Sequence, residues 1–60
     1  MTADQIALKR MSRAREVLDT TALPVSLVAR GVGYDDPFYF SRVFRRVHGL
    51  TPRDYRQRPR

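Results

Sequence analysis

The sequence contains no cysteine and no tryptophan, and among its 60 residues it has one histidine, His48, and one lysine, Lys9. Without cysteine there is no disulfide staple, and with one histidine and six dispersed carboxylates no cluster of metal ligands is visible. A chain this short buries only roughly 60% of the surface its unfolded form exposes, so helix packing or a neighbouring domain must supply the stability. No apolar run approaches the roughly 18 residues that cross a bilayer, and Met1 to Leu8 lack the apolar stretch of a signal peptide. These absences, with that of cysteine, are those of a soluble protein of the cytoplasm. No nucleophile beside a base and no glycine-rich phosphate loop is present, so neither an enzyme nor a cofactor is expected.

What is abundant is positive charge. Twelve basic residues stand against six acidic ones, a formal net charge of +6, and all of the basic ones but Lys9 are arginine. Arginine forks match phosphate oxygens and the O6/N7 edge of guanine. Charge alone also fits RNA or an anionic membrane surface, and an arginine bias also fits a GC-rich genome.

Thr2 to Leu18 is free of glycine and proline, and Ala7, Met11, Ala14 and Leu18 recur at steps of four, three and four, with Val17 alongside. This spacing predicts a helix with one apolar stripe. Thr2 or Asp4 can cap it, and Arg13 and Glu16 can pair at i, i+3. Leu8 falls off the stripe; together with Ile6 it is either an ordinary exposed residue or a seam for a partner. Pro24 predicts the start of a second, short helix running to Val32, with Val25, Val28, Ala29 and Val32 inward and Gly33 closing it in a left-handed conformation. Tyr34 is placed to fold back into the core. Asp36 and Pro37 read as the cap and first turn of a third helix, from about Pro37 to His48. At about 100° per residue, Phe40, Val43, Phe44 and Val47 fall on one side of it and Phe38, Arg42 and Arg45 on the other, with Ser41 and Arg46 flanking. Gly49 ends that helix. Thr51-Pro52-Arg53-Asp54 resembles a capping box that opens a last helix through Tyr55 and Arg56, and Gln57 to Arg60 is expected to fray. The expected fold is all-α, a small homeodomain-like bundle of three to four helices in one domain. Residues 2–20 form a leading helix, 24–48 a helix-turn-helix, and 51–60 a short helix and tail.

A short helix with a small residue at its centre, a glycine turn, and a helix apolar inside and basic outside can brace on phosphates while inserting its first half into the major groove. The runs Leu23-Pro24-Val25-Ser26-Leu27-Val28-Ala29-Arg30-Gly31-Val32-Gly33-Tyr34, Phe40-Ser41-Arg42-Val43-Phe44-Arg45-Arg46, Gly49-Leu50-Thr51-Pro52 and Tyr55-Arg56 resemble the signature of the AraC/XylS transcription regulators. Upstream, Arg10-Met11-Ser12-Arg13-Ala14-Arg15-Glu16-Val17-Leu18 is similar to the helix that links the two helix-turn-helix units of that family, so the likeness spans about Thr2 to Arg56. The resemblance implies double-stranded DNA as partner. It also implies a first helix-turn-helix subdomain and an effector or dimerisation domain outside this chain, with Ile6 and Leu8 facing that first subdomain.

On the third helix, Arg42 is the foremost candidate for a base contact, followed by Ser41 and Phe38. Phe38 either touches a thymine methyl or folds sideways onto a neighbour. Pro37 has no N–H to offer, so fewer bases are read directly where relatives place polar residues. Arg45 and Arg46 sit toward the end that leaves the groove and suit phosphates, as do the Tyr39 hydroxyl and Arg30, Arg53 and Arg56. Arg56 has internal pairing as its alternative. Phe40, Phe44 and Tyr55 are expected in the core, and His48 on the surface near a helix C-terminus, with no catalytic role. The competing function is a module that binds nucleic acid without sequence preference or contacts a protein such as RNA polymerase.

Overall fold

The structure, a computed structural model, describes residues 3–58, with side chains from Gln5 onward. Four helices follow in order, α1 (Ala3–Thr20), α2 (Val25–Gly31), α3 (Pro37–His48) and α4 (Pro52–Gln57), with no strand among the described residues.

In α1, Met11, Ala14 and Leu18 form the buried stripe, while Ala7 and Val17 lie half-buried at its edges. Asp4 stands inside the first turn, not ahead of it, and Thr2 lies outside the described residues. The Arg13–Glu16 pair does not form; both side chains are exposed, where such a pair gains little over solvation. At the other end the Thr20 hydroxyl donates to the Glu16 carbonyl at 2.9 Å and the Thr21 hydroxyl to that of Val17 at 2.7 Å. These hydroxyls bond back onto carbonyls of the last turn, and the Val17 carbonyl also accepts the Thr21 N–H at 3.0 Å.

α2 starts at Val25 and ends at Gly31, one position inside each expected bound, with Pro24 as the residue before it, which offers no side-chain cap. The far end is closed by a Schellman arrangement: Tyr34 N–H donates to the Ala29 carbonyl at 2.8 Å and Gly33 N–H to that of Arg30 at 3.0 Å, with Gly33 at φ +94°. Val28 and Ala29 are buried, and the small Ala29 methyl allows α2 to lie close to its neighbours.

The Asp36 carboxylate accepts from Phe38 N–H at 2.9 Å, ahead of Pro37, and starts α3; Gly49, at φ +85°, donates its N–H to the Arg45 carbonyl and ends it. Phe40 and Phe44 are fully buried, with Val43 and Val47 half-buried beside them. Thr51 caps α4 by accepting from Asp54 N–H at 3.1 Å, which is one half of the anticipated box. The core is an aromatic row, in which Tyr34–Phe40, Phe40–Phe44 and Phe44–Tyr55 ring centres lie 5.7, 6.0 and 5.8 Å apart.

Two further expectations are corrected. His48 is half-buried rather than a surface residue: its Nε2 lies 3.0 Å from the Met11 carbonyl oxygen and its ring 4.5 Å from that of Phe44. It therefore ties the end of α3 to the middle of α1. The tail does not fray from Gln57, which belongs to α4. Arg58 beyond it lies over the Tyr55 ring at 4.0 Å and within 3.7 Å of Asp19, whose other oxygen accepts the Tyr55 hydroxyl at 2.6 Å. Pro59 and Arg60 lie outside the described residues.

Candidate nucleic-acid interface

Because Phe40 and Phe44 anchor α3 in the core, the opposite side of that helix is held outward. Phe38, Tyr39, Arg42, Arg45 and Arg46 are all exposed there, and Ser41 is half-buried on the flank. Among the described residues, Arg42, Arg45 and Arg46 enter no ion pair and no internal hydrogen bond, so their guanidinium groups are uncommitted. Tyr39, Arg42, Val43 and Arg46 line a shallow cleft of about 290 Å³ along one flank. Phe38 does not fold sideways: it is 82% exposed and enters no ring pair among the described residues. Arg30, in the last turn of α2, and Arg53, in the first turn of α4, are exposed on either side of α3 in sequence.

Arg56 is the exception. Its guanidinium donates to the Leu23 carbonyl, and through its second nitrogen to the Thr21 carbonyl at 3.3 Å. It fastens α4 to the loop ahead of α2, and its expected role at a DNA backbone gives way to the internal alternative. The carbonyls of that loop have no helical partner, and a planar fork satisfies two at once.

Arg10 is a residue that the pattern of the sequence did not single out. From α1 its guanidinium lies 5.6 Å from the centre of the Tyr34 ring, and a Cβ placed on Gly33 would come within 3.2 Å of it. The turn between α2 and α3 is thereby packed between an arginine and the aromatic row. Gly33 and Tyr34 announced the turn, but nothing local announces an arginine 23 positions earlier arriving on it. Ile6 and Leu8 remain exposed and, with Tyr39, Val43 and Val47, line an open groove of about 980 Å³.

This geometry is a short helix, a tight left-handed turn and a second helix with a free basic face, set in a bundle. No helix is long and apolar enough to cross a membrane among the described residues, and no group of three or more His, Cys, Asp or Glu is placed to hold a metal ion. A family model described as a helix-turn-helix domain matches residues 2–58. Over 48 residues the chain is 46% identical to the arabinose operon regulatory protein of Escherichia coli, covering 80% of this chain and 16% of that protein. It is 47% identical over 51 residues to the MmsAB operon regulatory protein of Pseudomonas aeruginosa, covering 85% of this chain and 17% of that protein. With the HTH-type transcriptional activator RhaR of Yersinia pestis the identity is 45% over 49 residues, covering 82% and 17%. The chain thus spans about a sixth of the length of the curated relatives it matches. No solved structure matches it.

Fold and matches together define a helix-turn-helix domain, the class that binds double-stranded DNA. The chain belongs to the AraC-type helix-turn-helix family, a family of transcription regulators and not of enzymes.

Proposed function

We propose that this chain is the second DNA-reading unit of a longer cytoplasmic transcription regulator, and that it binds duplex DNA in a sequence-specific manner with α3 in the major groove. The observation that carries this reading is the free face of α3, where Arg42, Arg45 and Arg46 are exposed and unpaired directly opposite the buried Phe40 and Phe44. Arg42 reads a base, with Ser41 and Phe38 beside it. Tyr39, Arg45 and Arg46, with Arg30 and Arg53 to the sides, hold phosphates. In this reading α1 is the linker helix, and Ile6 and Leu8 face the first helix-turn-helix unit. Support for a longer regulator comes from the relatives, each roughly six times the length matched here.

The test is a competition on a fluorescent duplex selected by this chain from a random pool, challenged with a scrambled duplex of equal length. The selected duplex is expected to compete better at physiological salt. Equal competition, with log affinity falling by about 0.9 per log salt for each phosphate neutralised and nothing else, would leave only nonspecific binding.

A further inference from the structure

From the tip of α3 we infer that Phe38 reads the C5-methyl group of a pyrimidine in the major groove, the group that thymine carries and that 5-methylcytosine shares. This inference rests on the reading of α3 as the groove helix. Phe38 is the most exposed of the large apolar side chains among the described residues, at 82%, whereas Phe40 and Phe44 on the same helix are fully buried. No core position is left for it to fill and no ring stacks on it. The backbone around it is equally short of polar groups to offer. Pro37 has no N–H, and the N–H of Phe38 is already bonded to the Asp36 carboxylate at 2.9 Å. The leading turn of the helix therefore presents an apolar ring, and its first two positions, Pro37 and Phe38, have no N–H left to offer a base.

Such a tip discriminates by what it covers. Over a guanine, adenine or unmethylated cytosine edge, the ring would strip water from N7, O6, N6 or N4 groups and return no hydrogen bond. A C5-methyl group is the one apolar feature of the major-groove edges, and covering it removes apolar surface from water on both partners. Ser41 and Arg42, one turn further along, supply the polar contacts of the neighbouring positions.

The experiment uses the duplex selected by this chain from a random pool. Each thymine is replaced singly by uracil, which lacks only the methyl group, and binding is measured for the wild type, Phe38→Ala and Phe38→Leu. The wild type is expected to lose about threefold to fivefold at one position, the size of effect one buried methyl group gives. Phe38→Ala is expected to bind both duplexes equally, and Phe38→Leu to keep part of the difference. In a second arm that position carries cytosine or 5-methylcytosine, and the methylated duplex is expected to bind the wild type better by a similar factor; discrimination at thymine alone would restrict the contact to thymine and overturn the shared-methyl claim. A wild type that prefers the selected duplex to a scrambled one yet ignores uracil at every position would overturn this inference and leave the proposed function standing. The same holds if Phe38→Ala stays as sensitive to uracil as the wild type. Absence of any preferred duplex would overturn both. Circular dichroism of the variants, expected to match the wild type because the ring supports no packing, separates these outcomes from unfolding.

Discussion

The two faces of α3 use the same residue type to opposite ends. Phe40 and Phe44 are sealed in the core and Phe38 stands in water, although only one residue, Tyr39, separates Phe38 from Phe40. The arginines follow the same division across the molecule. Arg10, Arg56 and Arg58 are engaged with a ring, with carbonyls or with a carboxylate, whereas Arg42, Arg45 and Arg46 are engaged with nothing internal. A high count of one residue type therefore says little until each copy is asked whether the fold already uses it. In this chain roughly one set of arginines builds the scaffold and another is left over for a partner.

The sharpest way to break this comparison is to empty the inner face. Phe44→Ala is expected to cost about 3 to 5 kcal/mol, comparable with all that a core this small supplies. Helical circular dichroism at 25 °C should be largely lost, and DNA binding with it for every sequence. Retained helicity would mean that the aromatic row is dispensable. On the outer face, Arg42→Ala should leave the unfolding midpoint nearly unchanged while removing about 1 to 3 kcal/mol of discrimination at one base pair. Arg45→Ala should weaken all duplexes alike and lower the salt slope by about 1. If Arg42→Ala melts early, or leaves the footprint intact, the division of the two faces fails.

The two glycine turns that bound α3 offer a finer contrast. Alanine in a left-handed conformation costs roughly 1 to 2 kcal/mol. Gly49→Ala, with open space around its Cβ, should show that strain alone, while Gly33→Ala should add only what the Arg10–Tyr34 contact loses when the mobile guanidinium end, 3.2 Å from the added atom, moves aside. Urea midpoints of the two variants would rank them. The smallest effect is expected at Tyr55→Phe, which removes the bond to Asp19 and about 1 kcal/mol with it. Burial and that bond raise the phenol pKa above the ordinary 10.0, so the folded chain keeps a proton that the unfolded chain releases. The stabilisation is complete below pH 10 and is lost as pH climbs through the raised value. Melting at pH 8 and pH 11 should show a larger alkaline loss for the wild type than for Tyr55→Phe.

Most of the fold could be read from local features, because local features cause it. Asp36-Pro37, Gly33, Gly49 and Thr51 act within four residues of themselves, and the apolar stripes act within one helix. The outer face of α3 was legible for the same reason, since a helix places Phe38, Arg42 and Arg45 together whatever surrounds it. Contacts that depend on where helices meet were not legible. His48 meets Met11 across 37 positions, Arg56 meets Thr21 across 35, and Arg10 meets Gly33 across 23. Each is a polar residue whose exposed and engaged forms share one local sequence, so only the packing of the helices decides between them.

Arg10 and Met11 are neighbours on α1, yet they hold opposite ends of the reading unit: the guanidinium rests on the turn before α3, and the Met11 carbonyl holds His48 at its close. A helix fastened at one point can swivel about it, but one fastened at two points can only slide or rock within the slack of each. For twelve residues, about 18 Å of helix, half an ångström of slack at one end is a pointing error of only about 2°. The buried Phe40 and Phe44 choose which side of α3 faces outward, and a single turn of a helix that carries none of the residues doing the reading steadies where that side points.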